Sequence, residues 1–520
     1  MNPLASPRAF PLAVLAVAAL VRFALCAQGG QYFWFDEARH ERAVWIYTAA
    51  LHGDFSPLRA VAAFPEHTLF PWLGTLVVAG QHLLAQATPH ADWRRPENVA
   101  ATAWLGAALL SLASTAVLAL THRLARRAGA SVPHANLALL LLAVSTTALA
   151  HARFFLPYDA ALAALLGALC VGLPAPAPSE NSAASAAGFP SSARAAAAAL
   201  LLGLAYHLYN GYWFTLPVAA ALLAWSWRRA PRFPGLLASA ALVGAATLAA
   251  PVALGHALAG DAYFAALAAF SRSVTQGAFA EGWSLPLAYA WHAEGALGVL
   301  VAALVLTAAV AVVRAPAAVP PVVRAALLAV VAACALLVLF SVGLHRLVVY
   351  ARTLKPLAPA LAVVAAWPLA RLLVARPRLA WPAVAGLALL GALNAAAPFA
   401  HVFPREVEAA VVRAHGRPKR TLTVAGSIYF PSDRPVARPD LALVNAQNLY
   451  PVRALLPPPA GTVLLRFDHP LAYRPFHYEG FAPAERALLR AADLSIRLVQ
   501  LADPAAVPDD LPAAHRYSPP

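Results

Sequence analysis

Eleven apolar stretches, at roughly 9–27, 99–121, 135–152, 158–173, 195–211, 212–227, 234–258, 285–313, 322–343, 356–374 and 379–399, dominate the first 400 residues. A bilayer's hydrocarbon core takes about 20 helical residues to cross. Inside lipid every backbone N–H and C=O must be satisfied within the segment, so stretches of this kind become helices packed side by side. Composition agrees: the chain is 61% hydrophobic and 12% charged, with a mean hydropathy of +0.65, outside the range of soluble domains. The expected fold class is an α-helical polytopic membrane protein. Its first stretch, AFPLAVLAVAALVRFALCA, has no small-residue cleavage site ahead of a soluble domain and reads as a retained helix, not a signal peptide.

The formal charge of +15 comes largely from arginines at the ends of these stretches, so it reports topology and excludes nucleic-acid binding as its explanation. With eleven spans starting inside, Arg123, Arg126 and Arg127, then Arg228, Arg229 and Arg232, then Arg371, Arg376 and Arg378 fall on one face, the cytoplasm. LFPWLGTLVVAGQHLLAQ at 69–86 could also span, but every later cluster would then invert. It is therefore placed at the outer interface. Cys26, Cys170 and Cys334 lie in apolar stretches without ligand-like spacing and read as small core residues. Lysine is confined to Lys355 and Lys419 in an Ala- and Arg-rich chain, which points to a high-GC bacterium and to its cytoplasmic membrane.

This topology leaves a large first exterior loop at about 28–98, a second at 259–284 that is polar and Gly-containing enough to act as a mobile lid, and a short third at 345–356. Residues 174–194, rich in Pro, Ala and Ser, form a cytoplasmic linker. The domains expected are a membrane unit, 1–400, and an exterior α/β unit, 401–520. In the latter TLTVAGSIYF, ALVNAQ, GTVLLRF and LSIRLVQL read as strands and 482–492 as a helix, with no glycine spacing suited to cradling a nucleotide phosphate.

Charged groups at membrane depth or at its edge commonly mark a pathway or site. Asp36 and Glu37 follow Tyr32, Phe33, Trp34 and Phe35 just beyond the first stretch. They read either as an aromatic belt and a helix start, or as carboxylates in an aromatic-walled cavity able to take a proton from a hydroxyl. Glu66 and His67 form a second polar pair in the same loop. Arg153 either snorkels to headgroups or faces the site, and Tyr158 and Asp159 either cap the fourth span or line the site. Arg346, Arg352 and Lys355, beside Tyr350, breach the positive-inside pattern. An anionic ligand would explain them.

The order "first span, aromatic-Asp-Glu-Ala, helix" resembles the GT-C membrane glycosyltransferases, in the branch of the protein O-mannosyltransferases and the lipid A aminoarabinose transferase. PEHTLFPWLG at 65–74 is similar to that family's His-Pro-Pro-Leu segment, with Thr68 in place of the first proline. HARFFLPYDAALAALL at 151–166, YNGYWFTLPVAAALLAW at 209–225 and HRLVVYARTLKPLAPALAVVAAW at 345–367 follow in the family order, although Asn210 stands where many relatives carry Lys or Thr. The resemblance covers roughly residues 10–400.

It implies a glycosyltransferase that moves a hexose or pentose from a polyprenyl-phosphate donor to a hydroxyl of a lipid, glycan or protein at the outer face of the membrane, with inversion. Asp36 would be the base and Glu37 its neighbour in the catalytic pair. Arg352, Lys355, Arg346 and Arg153 would hold the donor phosphate, and Glu66, His67, Tyr158, Asp159 and Tyr350 would contact substrate. The expected partners are that donor, an acceptor and membrane lipids, with no nucleic acid. No cofactor is required by this chemistry; a divalent metal is possible in the superfamily, but no dense carboxylate cluster indicates one. Two other classes stay open: a lipid or solute transporter, and a non-catalytic relative whose C-terminal domain binds a partner.

Overall fold

The computed structural model describes residues 3–28, 40–62, 68–86, 102, 104–152, 154–174, 189–275, 284–340, 351–400, 421–424, 441–445, 460–467 and 496–503. The chain is a helical polytopic membrane protein with a small sheet near its C-terminal end. Its helices are α1 (Ala9–Gln28), α2 (His40–His52), α3 (Ser56–Ala62), α4 (Phe70–Gln86), α5 (Trp104–Arg127), α6 (Val132–Ala143), α7 (Thr146–Leu149), α8 (Tyr158–Gly172), α9 (Ser192–Leu208), α10 (Thr215–Trp227), α11 (Phe233–Ala259), α12 (Asp261–Thr275), α13 (Ser284–Arg314), α14 (Pro321–Val338), α15 (Ala358–Ala375) and α16 (Ala380–Ala400). Among the described residues seven are long and apolar enough to cross a membrane, and the apolar helices α6, α8, α9 and α10 are shorter.

The turn between α5 and α6 shows how local sequence sets this geometry. Gly129 takes φ +91°, which lets Ala130 N–H reach back to Ala125 C=O at 2.9 Å and Gly129 N–H to Arg126 C=O at 3.2 Å. Those bonds close α5 in a glycine-dependent stop. Ser131 then stands at the N-cap and Pro133 in the first turn of α6, where its missing N–H costs nothing.

Helix α6 is buried on every side from His134 to Leu142 and packs on α15, whose residues Ala362–Trp367 are buried with it. His134 Nε2 meets Val363 C=O at 2.7 Å. This pair is the centre of the bundle. Helices α11, α13 and α16 are barely buried and turn leucines such as Leu242, Leu306 and Leu393 outward, as lipid-facing helices do.

Three sequence expectations are corrected. The stretch 135–152 is not one helix: it breaks at Ser145 into α6 and the one-turn α7. The stretch 285–313 breaks at Gly295, whose φ of +52° and ψ of −129° are non-helical. The segment 259–284 is not a polar loop through its first half, because Gly260 (φ +59°) ends α11 and Asp261 opens α12.

The strands are β1 (Thr421–Val424), β2 (Leu441–Asn445), β3 (Gly461–Phe467) and β4 (Ile496–Leu501), in the order β1-β2-β4-β3. β1 and β2 are parallel, with Thr421 opposite Leu441. β4 runs antiparallel to both β2 and β3. β1, β3 and β4 lie within sequence-expected strands, and β2 starts one residue ahead of the expected 442–447; the expected helix 482–492 lies outside the described residues.

Candidate functional site

Helix α8 begins where the turn through Phe154, Phe155 and Leu156 delivers Pro157 to the N-cap, with no side chain capping the helix. Asp159 in its first turn is therefore not a cap. Its Oδ2 accepts a hydrogen bond from Lys355 Nζ at 2.8 Å, and both side chains are buried. Lys355 comes from a 3-10 helix, Ala351–Leu357, that leads into α15 and packs against α13.

A second buried cation adjoins the pair. Arg22, well inside α1 and only 1% exposed, donates from Nε to Ser114 Oγ at 2.9 Å and from Nη1 to Ala18 C=O at 3.0 Å. Its charge is felt by both Asp159 and Lys355. Its Nη2 is buried without a hydrogen-bond partner among the described residues. Among the described residues, two cations and one carboxylate give this cluster a net charge of about +1 in an apolar bundle, where each ion costs several kcal/mol to desolvate. Such a cost is commonly met where function requires the charge.

The surroundings hold the cluster in place. Ser114 Oγ–H donates in turn to Ala148 C=O at 3.3 Å, and Ser111 Oγ–H to Ala152 C=O at 2.7 Å, so α5 grips α7 and the turn that follows it. From the other side Glu294 of α13 accepts Ser145 Oγ–H at 2.7 Å, Thr146 N–H at 3.0 Å and Thr147 N–H at 2.7 Å. These are charge-assisted bonds at a helix start. An edge-to-face run of buried rings, His151 to Tyr158 at 5.0 Å, Tyr158 to Tyr209 and Tyr209 to Tyr212 at 4.7 Å each, lines the same region.

The segment between α1 and α3 reaches this turn as well. His40, three residues after Glu37, sets its ring edge-on to Phe155 at 5.6 Å. Burial holds its imidazole neutral, its pKa lowered to about 4.

Of the residues singled out by sequence, Tyr158, Asp159 and Lys355 are brought together here. Lys355 is not a bare cation, since Asp159 already compensates it. Arg352 lies on the same 3-10 helix, its side chain outside the description. Asp36, Glu37, Glu66, His67, Arg153, Arg346 and Tyr350 lie outside the described residues. Sequence reasoning missed Arg22 and Glu294. Arg22 had a visible signal, as a lone charge inside an apolar stretch, and Glu294 the same one in 285–313. Among the described residues no group of three or more His, Cys, Asp or Glu comes together.

No protein-family model matches the chain, and no curated protein matches it. Among solved structures, it is similar to ArnT from Cupriavidus metallidurans bound to undecaprenyl phosphate, with 17% identity, a TM-score of 0.47, and coverage of 78% of this chain and 68% of that one.

Proposed function

We propose that the protein is a GT-C-type glycosyltransferase that moves a sugar from a polyprenyl-phosphate donor to an acceptor hydroxyl at the outer face of a bacterial cytoplasmic membrane. The observation that carries this reading is the buried, net-positive Arg22–Asp159–Lys355 cluster beside the aromatic run and next to the turn that His40 contacts. The motif order found in the sequence supports it independently.

The chemistry fits a cluster of this charge. In the donor the phosphate is a diester with one negative charge. As the bond from the anomeric carbon to the phosphate oxygen breaks, the phosphate becomes a monoester and gains a second. Fixed cations in a dry site favour the more charged state, and therefore the transition state that leads to it. Asp159 holds Lys355 aimed until the phosphate competes for it. Arg352, Arg346 and Arg153 would add to the phosphate contacts, Tyr350 to the walls, and Glu66 and His67 to the acceptor side. Asp36 takes the acceptor proton as the hydroxyl attacks from the face opposite the phosphate, and Glu37 orients the loop. Residues 401–520 would form an exterior domain.

The test is transfer of a radiolabelled sugar from its polyprenyl phosphate in membranes that contain the wild-type chain or Asp36→Asn. Transfer by the wild type, reduced at least about a hundredfold in Asp36→Asn, is expected. No transfer by the wild type from any polyprenyl-phosphate sugar tried would overturn the reading. Near-normal transfer by both Asp36→Asn and Glu37→Gln would remove the pair from the site.

A further inference from the structure

The far end of α8 gathers a second set of cations that the reaction does not use. Its last carbonyls are taken by side chains from other helices: Arg194 Nε donates to Val171 C=O at 3.0 Å, Arg127 Nε to Leu173 C=O at 3.1 Å, and Trp227 Nε1 to Gly172 C=O at 2.8 Å. Arg194 Nη2 also reaches Leu173 C=O, at 3.3 Å, so two guanidinium groups share one carbonyl oxygen. Cations at a helix C-terminus complement its dipole, and capping alone accounts for both hydrogen-bond sets.

Capping leaves three things unexplained. Arg123, one turn before Arg127 on the same face of α5, is exposed and has no hydrogen bond or ion pair among the described residues. Arg127 and Arg194 have spent only part of their five N–H donors each. Two like charges meet on a neutral oxygen with no carboxylate beside them among the described residues, and between residues 98 and 260 the sequence offers only Asp159, at the other end of α8, and Glu180. The guanidiniums are pinned by their carbonyl bonds, so an anion placed between them and Arg123 would gain charge-assisted hydrogen bonds without ordering the two pinned side chains. The arginine-rich ends of the helices lie where lipid headgroups lie, and headgroup phosphates are the anions at highest local concentration there.

We infer that Arg123, Arg127 and Arg194 form a binding site for the phosphate of an anionic phospholipid at the arginine-rich edge of the bundle. The site is independent of the sugar-transfer reading, since it stands at the opposite end of α8 and its test does not measure transfer. Arg127 and Arg194 fix the headgroup's position, and Arg123 closes on it from the exposed side.

The experiment is native mass spectrometry of the full-length protein in detergent with phosphatidylglycerol or phosphatidylcholine, alongside thermal unfolding with each lipid and with inorganic phosphate. Wild type should retain phosphatidylglycerol in preference to phosphatidylcholine. Arg123→Gln removes no described contact and should fold normally, yet lose about fivefold in phosphatidylglycerol affinity, the effect of one arginine at a membrane surface. Arg123→Gln/Arg194→Lys, which keeps a cation but loses the fork that spans two carbonyls, should lose more. Equal retention of both lipids, unchanged retention in Arg123→Gln, stabilisation by inorganic phosphate as large as that by phosphatidylglycerol, or phosphatidylglycerol binding by Glu180→Gln but not by wild type would each overturn the assignment. The last outcome would make a segment of this chain the occupant.

Discussion

The two ends of α8 handle positive charge in opposite ways. At the Gly172 end arginines reach in from α5 and α9 and rest on carbonyl oxygens, half-buried and without an acid among the described residues. At the Tyr158 end Lys355 and Arg22 are sealed from solvent, and Asp159 stands 2.8 Å from the lysine. Both arrangements agree with the helix dipole, which favours an acid in the first turn and bases on the last carbonyls. They differ in what desolvation demands. A guanidinium at a membrane edge keeps some contact with headgroups or water and needs no counter-ion, whereas a sealed ammonium must have one. The lesson is that carbonyl oxygens suffice for the half-buried arginines, whereas the sealed lysine is held by a carboxylate, although nothing in spanning a bilayer requires Lys355 or Asp159.

Removing one member of the sealed pair breaks this comparison most severely. Lys355→Met leaves Asp159 buried without its partner and should cost about 3–5 kcal/mol, read as a large fall in the unfolding midpoint in detergent. The double variant Lys355→Met/Asp159→Leu removes both charges and should regain most of that loss while remaining inactive. If the single variant melts like the wild type, the pair is solvated in solution and the contrast between the two ends disappears.

That pair also marks how far the sequence could be read. The helices were legible because a lipid-exposed segment has only one way to satisfy its backbone, and the stretches around α1, α11 and α14 show it directly. Asp159 and Lys355 were each visible as misplaced charges, but the bond between residues so far apart in the chain depends on how α8 and the Ala351–Leu357 turn pack, which one sequence does not encode locally. Arg22 was visible as a lone charge, but one charge barely changes the mean hydropathy of a long apolar stretch, and nothing local to it points to Asp159. Helix α12 was missed although Tyr263, Phe264, Leu267 and Phe270 stand at helical spacing behind a Gly-Asp boundary. The polar run after Phe270 drew the eye to a loop. The breaks at Ser145 and Gly295 were masked by apolar neighbours on both sides.

An intermediate effect is expected where α13 supports the sealed end. Glu294→Gln keeps the shape but replaces a carboxylate that accepts two backbone N–H groups and one hydroxyl with an amide that presents its own N–H groups to some of them. The cost should be about 2 kcal/mol, within the range for hydrogen bonds to charged groups. Hydrogen exchange should localise it, with amides of Thr146 and Thr147 losing protection while those of α9 do not. Uniform loss across both would mean that Glu294 supports the whole bundle and not this turn.

The smallest effect belongs to the open end, and its smallness is what sharpens the contrast. Arg194→Gln removes a guanidinium from Val171 and Leu173, but Arg127 still serves Leu173 and Trp227 still serves Gly172, so only one carbonyl loses its described side-chain partner. That carbonyl lies beside a half-exposed side chain, and the lost dipole complement is worth about 0.5 kcal/mol. Salt should distinguish the ends further. Screening weakens exposed charges far more than buried ones, so the small penalty of Arg194→Gln should fade at high ionic strength while that of Lys355→Met persists. Melting both variants at low and high salt puts the two ends on one scale. If Arg194→Gln costs as much as Lys355→Met and is equally indifferent to salt, the carbonyl-bound arginines are as sealed as the ion pair, and one physical account must serve both ends of α8.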